Sequence, residues 1–123
     1  MPIKTYFISL KERLILSRKI SSFEILDECL EHSYGFIRVK GKTPDGKVFE
    51  AFEYVIEKGN KLNFESYSFH LQDKDGQLIR RWDNAPHHKE ITTFPFHLHE
   101  GDKVIPSRAV NFSEFINYLE KEA

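Results

Sequence analysis

Residues 36–56 read Phe-Ile-Arg-Val-Lys-Gly-Lys-Thr-Pro-Asp-Gly-Lys-Val-Phe-Glu-Ala-Phe-Glu-Tyr-Val-Ile. At their centre Thr43-Pro44-Asp45-Gly46 separates two strand-like runs, 36–41 and 48–56. Asp-Gly supplies the backbone angles that a tight turn needs, so the stretch reads as a β-hairpin. The same chemistry recurs at Asp73-Lys74-Asp75-Gly76, between runs 62–71 and 78–82. Upstream, residues 23–30 fit strand alternation, and Phe23, Leu26 and Leu30 also fit helical spacing. Ser33-Tyr34-Gly35 behind them resembles a third hairpin connection and favours the strand. The expectation is a meander of about five consecutive antiparallel strands. In the run 62–71, Asn63, Glu65, Tyr67, Phe69 and Leu71 share one face, while Leu62, Phe64, Ser66, Ser68 and His70 share the other. Neither face is wholly apolar, so the core face stays unassigned.

Helical signals sit at the two ends. Phe112, Phe115, Ile116 and Leu119 repeat at the 3/4 spacing of one helix face. Asn111 precedes them as an N-cap, with Glu114 three residues on, an approximate capping box. Near the other end Tyr6, Leu10 and Leu14 predict a short helix with Lys11, Arg13, Arg18 and Lys19 around it, and Arg13, Arg18 and Lys19 read as a solvated helix face rather than an RNA groove. The stretch 84–108 carries Pro86, Pro95 and Pro106 and no clean period, and reads as one long ordered loop. The fold class expected is α+β. A curved antiparallel meander carries the C-terminal helix on one face, and the long histidine-rich loop folds over one end.

A chain of 123 residues matches the length of one domain, 1–123, by a prior of roughly 100–200 residues per domain. With 40% apolar and 30% charged residues, it is neither a disordered tail nor a membrane-embedded protein. No apolar run approaches the ~20 residues that span a bilayer. The opening Met-Pro-Ile-Lys-Thr-Tyr-Phe lacks the pattern of a signal peptide. The single cysteine, Cys29, cannot form an internal disulfide and reads as a small buried hydrophobe, so a reducing cytoplasm is expected. A net charge of −1 excludes a basic nucleic-acid coat and leaves room for a local phosphate site.

Four of the six histidines fall between positions 87 and 99, and three uses compete for them. Cleavage of a phosphodiester needs a proton acceptor, a proton donor and a cation on the phosphate. Histidine titrates near neutrality and suits both proton roles, while the arginine fork suits the phosphate. Asp83 can orient a ring. Arg81 and Asp83 share one strand face, with Arg80 and Trp82 on the other. The second use is a metal site. In an extended segment His97 and His99 point the same way, and His87 or His88 completes a set of three acceptable to zinc, nickel or manganese. The third is structural, with the rings as surface or packing groups in a Pro-shaped loop. Elsewhere Glu50, Glu53 and Glu57 read as a solvated strand edge, Glu53 with a chance of facing the site. Tyr67 and Phe69 read as packing.

Arg81-Trp-Asp-Asn-Ala-Pro-His-His88, followed by Thr93-Phe-Pro-Phe-His-Leu-His99, resembles the TumE family of toxin–antitoxin toxins. The similarity extends through Gly35-Phe36-Ile37-Arg38, Phe52-Glu53-Tyr54-Val55 and Tyr67-Ser68-Phe69-His70-Leu71-Gln72 to Pro106-Ser107 and the 112–119 helix. One departure is Phe96, where the family often has histidine. The resemblance implies a toxin with a helix-turn-helix antitoxin partner, acting on RNA or translation. Its motif positions here are Arg81, Asp83, Asn84, His87, His88, His97 and His99. The leading expectation is a metal-independent ribonuclease without cofactors. His87 or His88 serves as general base, His97 or His99 as general acid, Arg81 and Asn84 bind substrate, and Asp83 orients an imidazole. The rival is a non-enzymatic toxin or binding module whose loop docks a protein. RNA is the expected substrate, no membrane is involved, and a homodimer is left open.

Overall fold

A computed structural model describes residues 2–86 and 88–122. Helix α1 (Ile3–Leu16) is followed by five strands, β1 (Ser22–Leu30), β2 (Tyr34–Lys42), β3 (Val48–Lys58), β4 (Lys61–Gln72) and β5 (Leu78–Asp83). Strands β6 (His97–Glu100) and β7 (Lys103–Pro106) follow, and helix α2 (Phe112–Glu122) closes the chain. The strands form one antiparallel sheet in sequence order, β1 to β7. The class is the expected α+β meander, with seven strands in place of about five. The two added strands lie inside the stretch read as a single loop. They are only 4 residues each, too short to show a period. Their turn, Gly101-Asp102, was nonetheless legible, and Gly101 takes a φ of 61° that glycine adopts without strain.

The turn chemistry works as read. At both Asp-Gly sites the glycine has positive φ, 92° at Gly46 and 87° at Gly76. In each, the backbone N–H of that glycine donates three residues back, Gly46 to Thr43 and Gly76 to Asp73, at 3.0 Å. The capping box of α2 also forms. Glu114 N–H donates to Asn111 Oδ1 at 2.9 Å, and Asn111 N–H donates to Glu114 Oε1 at 3.2 Å.

Both helices cover the same face of the sheet. From α1, Ile3, Tyr6, Phe7, Leu10 and Leu14 are buried. From α2, Phe112, Phe115, Ile116 and Leu119 are buried, and they meet Ile37, Val39, Phe49, Ala51, Val55, Phe69 and Trp82 of the strands in one core. Burial of each such aromatic or branched side chain stabilises by roughly 1.5–3 kcal/mol, so this face carries most of the fold. Aromatic contacts knit it together. Phe115 stacks on Phe69 at 5.4 Å and meets Phe49 edge-on at 5.8 Å. Gly41 makes room for this packing, because a Cβ there would stand 2.4 Å from the Phe49 ring.

Register settles the ambiguous face of β4. A bulge at Glu65 interrupts its pairing with β3, so that Tyr54 faces Ser66 and Val55 faces Phe64. One extra residue flips the parity of everything beyond it. Phe64 therefore turns toward α1, with its ring 5.5 Å from that of Tyr6, on the same side as Tyr67, Phe69 and Leu71. Ser66, Ser68 and His70 are left on the opposite face.

Two expectations of solvated charge are corrected. Glu53 is fully buried, on the helix side of β3. It accepts a hydrogen bond from the Tyr6 hydroxyl and another from Phe112 N–H at 2.8 Å, tying both helices to the sheet. Glu57, two turns of the pleat further along, accepts from Ile3 N–H at 3.1 Å at the start of α1. Both carboxylates meet helix N-termini, where partial positive charge favours them. Arg13 is likewise no free cation. It donates to Ser113 O, Ser113 Oγ, Asn117 Oδ1 and Glu120 Oε1 at 2.7–2.9 Å, joining α1 to α2. Cys29 is half-buried on β1.

A candidate imidazole–carboxylate centre

The face of the sheet away from the helices carries the chemistry. Strand pairing builds two adjacent rows across it. One row runs Lys40, Glu50, His70, Arg81, His99, and the other Arg38, Phe52, Ser68, Asp83, His97. The alternation of β5 thus works as predicted. Arg81 and Asp83 face this side, while Arg80 turns to the helix side, ion-paired to Glu100 at 2.7 Å and 5.3 Å from the ring centroid of Tyr118.

Asp83 sits at the middle of the cluster and is 9% exposed. Its Oδ1 lies 2.7 Å from His97 Nε2 and accepts from Ala85 N–H at 3.2 Å. Its Oδ2 lies 3.5 Å from both Arg81 Nε and His99 Nε2. His97 is buried, and its Nδ1 donates to the Pro95 carbonyl at 2.9 Å. His88 approaches from the loop over the sheet, with ring centroids 5.3 Å from His97 and 5.6 Å from His99. The rings of His97 and His99 are 4.9 Å apart. Burial first, then the Arg81 charge, holds His99 below the ordinary histidine pKa, which keeps that ring neutral near pH 7.

The connection from β5 to β6 is shaped to deliver these groups. Successive turns close it, with Ile91 N–H donating to His88 O, Phe94 to Ile91 O and Phe96 to Thr93 O. The Thr93 hydroxyl donates to Phe96 O at 2.6 Å and accepts from Ser107 N–H at 3.0 Å, pinning the connection to the chain beyond β7. Asn84 does similar work at its start. Its side chain accepts from Tyr67 N–H at 3.0 Å and donates to Glu65 O at 2.9 Å. It thereby satisfies backbone groups beside the β4 bulge, where β5 has ended.

Six of the seven motif residues can therefore be located. Arg81, Asp83, His88, His97 and His99 come together, and Asn84 braces the connection beside them. His87 lies outside the described residues. Sequence reading did not single out His70 and Ser68, which flank Arg81 and Asp83 across the β4–β5 pairing. Phe52, with the Arg38 guanidinium 4.6 Å above its ring, continues the second row. Their shared parity was visible in the run 62–71, but only the bulge tells which face they take. Two shallow grooves meet at Arg81. One is lined by Glu50, Ser68 and His70, the other by Phe52, Ser66, Asp83 and Asn84.

The family model described as Toxin TumE matches residues 10–123. The chain belongs to the TumE toxin family. No curated protein and no solved structure matches it significantly. TumE membership implies an antitoxin partner, and the matched span includes every strand of the sheet and the whole centre. No helix among the described residues is long and apolar enough to cross a membrane.

Proposed function

We propose that this TumE-family chain arrests growth by cleaving RNA at the centre built on Asp83. The observation that carries the reading is the juxtaposition of a half-exposed guanidinium, Arg81, with a carboxylate and three imidazoles on an open sheet face. RNA contains its own nucleophile. The 2′-oxygen bonds to phosphorus, the bond from phosphorus to the 5′-oxygen breaks, and the products are a 2′,3′-cyclic phosphate and a 5′-hydroxyl. The 2′-hydroxyl must lose a proton and the leaving 5′-oxygen must gain one. One imidazole takes the first proton and another gives the second. Arg81 binds the phosphate oxygens, as its planar fork allows. Asp83 faces the rings of His97 and His99 and stabilises positive charge that builds on them during proton transfer. Asn84 acts on substrate indirectly, because both ends of its amide are already used by the backbone of β4.

A net charge of −1 favours a second reading, in which the toxin occupies a protein target and cuts nothing, since phosphate contacts dominate RNA affinity. Induced expression of wild type beside Arg81→Ala and His99→Ala, with sequencing of RNA 5′-hydroxyl ends, separates the two. New ends that fall by roughly 100-fold or more in both variants are expected. Growth arrest by wild type without new ends refutes cleavage and supports the docking toxin, whose antitoxin partner is expected to be of the helix-turn-helix type.

A further inference from the structure

His97 is the residue that separates proton transfer from metal ligation. Its Nδ1 is 2.9 Å from the Pro95 carbonyl oxygen. A carbonyl only accepts, so the ring proton resides on Nδ1. In the neutral ring Nε2 therefore carries a lone pair. This buried nitrogen makes no hydrogen bond among the described residues, yet it stands 2.7 Å from Asp83 Oδ1, off the direction an N–H···O bond requires. A lone pair facing a carboxylate oxygen at that distance repels it unless a proton or a metal ion lies between them, and the off-line geometry suits a metal ion better than a shared proton. A histidine whose far N–H is fixed on a backbone carbonyl is also the arrangement that metal-ligating histidines adopt.

Two further rings converge on the same point. One ring nitrogen from each of His88, His97 and His99 lies within 4.8 Å of the others. His88 holds a left-handed backbone, φ 57°, which few non-glycine residues adopt. We infer that His88, His97 and His99, with Asp83 as fourth ligand, bind one divalent first-row transition ion. Three imidazole nitrogens and one carboxylate oxygen suit Zn²⁺ and its neighbours and are a poor match for Mg²⁺, which prefers oxygen. Tetrahedral ligands at ~2.0–2.1 Å from zinc stand about 3.3 Å apart. The ring nitrogens, up to 4.8 Å apart, must close by about 1.5 Å. Asp83 Oδ1, 2.7 Å from His97 Nε2, must draw back by about 0.6 Å. Both changes are within reach of side-chain rotation at Asp83 and at His88, which is 35% exposed.

The site uses the side chains of the proposed ribonuclease without depending on that reaction, and it departs from the metal-free expectation drawn from the sequence. Where RNA cleavage holds, a water entering as a fifth ligand would be acidified by the ion and would supply the proton acceptor, and Arg81 would hold the phosphate two residues along the strand from Asp83.

The test uses tag-free full-length chain, stripped with EDTA and returned to metal-free buffer. Zn²⁺ is titrated calorimetrically and Co²⁺ by visible absorption, in wild type, His88→Ala and His99→Ala, with thermal melts confirming that each variant is folded. The expected result is one Zn²⁺ per chain, a tetrahedral Co²⁺ spectrum, and affinity weakened on the order of 100-fold or more in either variant. Absence of stoichiometric Zn²⁺ uptake by wild type overturns the site, as does equal affinity in all three proteins. The two readings fail separately. Zn²⁺ bound here with RNA left intact keeps the metal site and removes the ribonuclease. RNA cut by stripped protein that takes up no Zn²⁺ does the reverse.

Discussion

Glu53→Gln should remove a pH dependence of stability that the wild-type fold carries. Burial, opposed by the hydrogen bonds from Tyr6 and Phe112, pushes the Glu53 carboxyl up from 4.5 to about 7. The unfolded chain releases this proton near the ordinary glutamate value. Between about pH 4.5 and 7 the folded protein thus holds a proton that the unfolded protein has lost. The contribution is fully present below the unfolded pKa and is lost as pH rises through the folded one. At roughly 1.4 kcal/mol per unit, the loss across the window is about 3 kcal/mol. That is a sizeable part of the 5–15 kcal/mol typical of a whole domain. Glutamine has nearly the same shape and can accept from Phe112 N–H, but it does not titrate. Its own fixed cost or gain cancels when the two proteins are compared across pH. Urea unfolding of both at pH 4.5, 6, 7 and 8 should show the variant gaining on wild type by about 3 kcal/mol from lowest to highest pH. Parallel profiles, or a wild type that gains on the variant as pH rises, would refute the argument that desolvation dominates at Glu53.

Three other substitutions probe local claims. Gly41→Ala places a methyl group against the Phe49 ring and should destabilise by roughly 1–3 kcal/mol through overpacking, measured by the shift in urea midpoint at unchanged slope. Asn111→Ala removes the acceptor for Glu114 N–H and should cost about 1 kcal/mol by the same measurement; no loss would mean that Glu53 alone secures the start of α2. Asn84→Ala leaves Tyr67 N–H and Glu65 O without their side-chain partner. It should speed amide exchange in the 84–96 connection and lower activity while the unfolding midpoint falls by less than in Gly41→Ala; unchanged exchange would refute its bracing role.

How far the sequence reached follows from the range of the interactions involved. Asp45-Gly46 and Asp73-Gly76 fix their turns within four residues, and Asn111 with Glu114 caps α2 within three, so the meander and the second helix could be read directly. The chemical inventory of the centre could too, since Arg81 and Asp83 share a face by strand alternation alone. Other features depended on partners far along the chain. Glu53 looked like a solvated edge because nothing near it in sequence announces Tyr6 and Phe112. The short strands β6 and β7 exist because β5 offers them an edge, pairing Arg81 with His99 and Asp83 with His97. The bulge at Glu65 chose which face of β4 met the helices, and so set His70 and Ser68 beside the centre. The sequence by itself determined turns, cap and residue types, because those are short-range choices of backbone angle and hydrogen bond. Tertiary structure alone decided which nitrogen of His97 meets a backbone carbonyl and which rings converge with it, because register and long-range pairing place atoms that no local pattern relates.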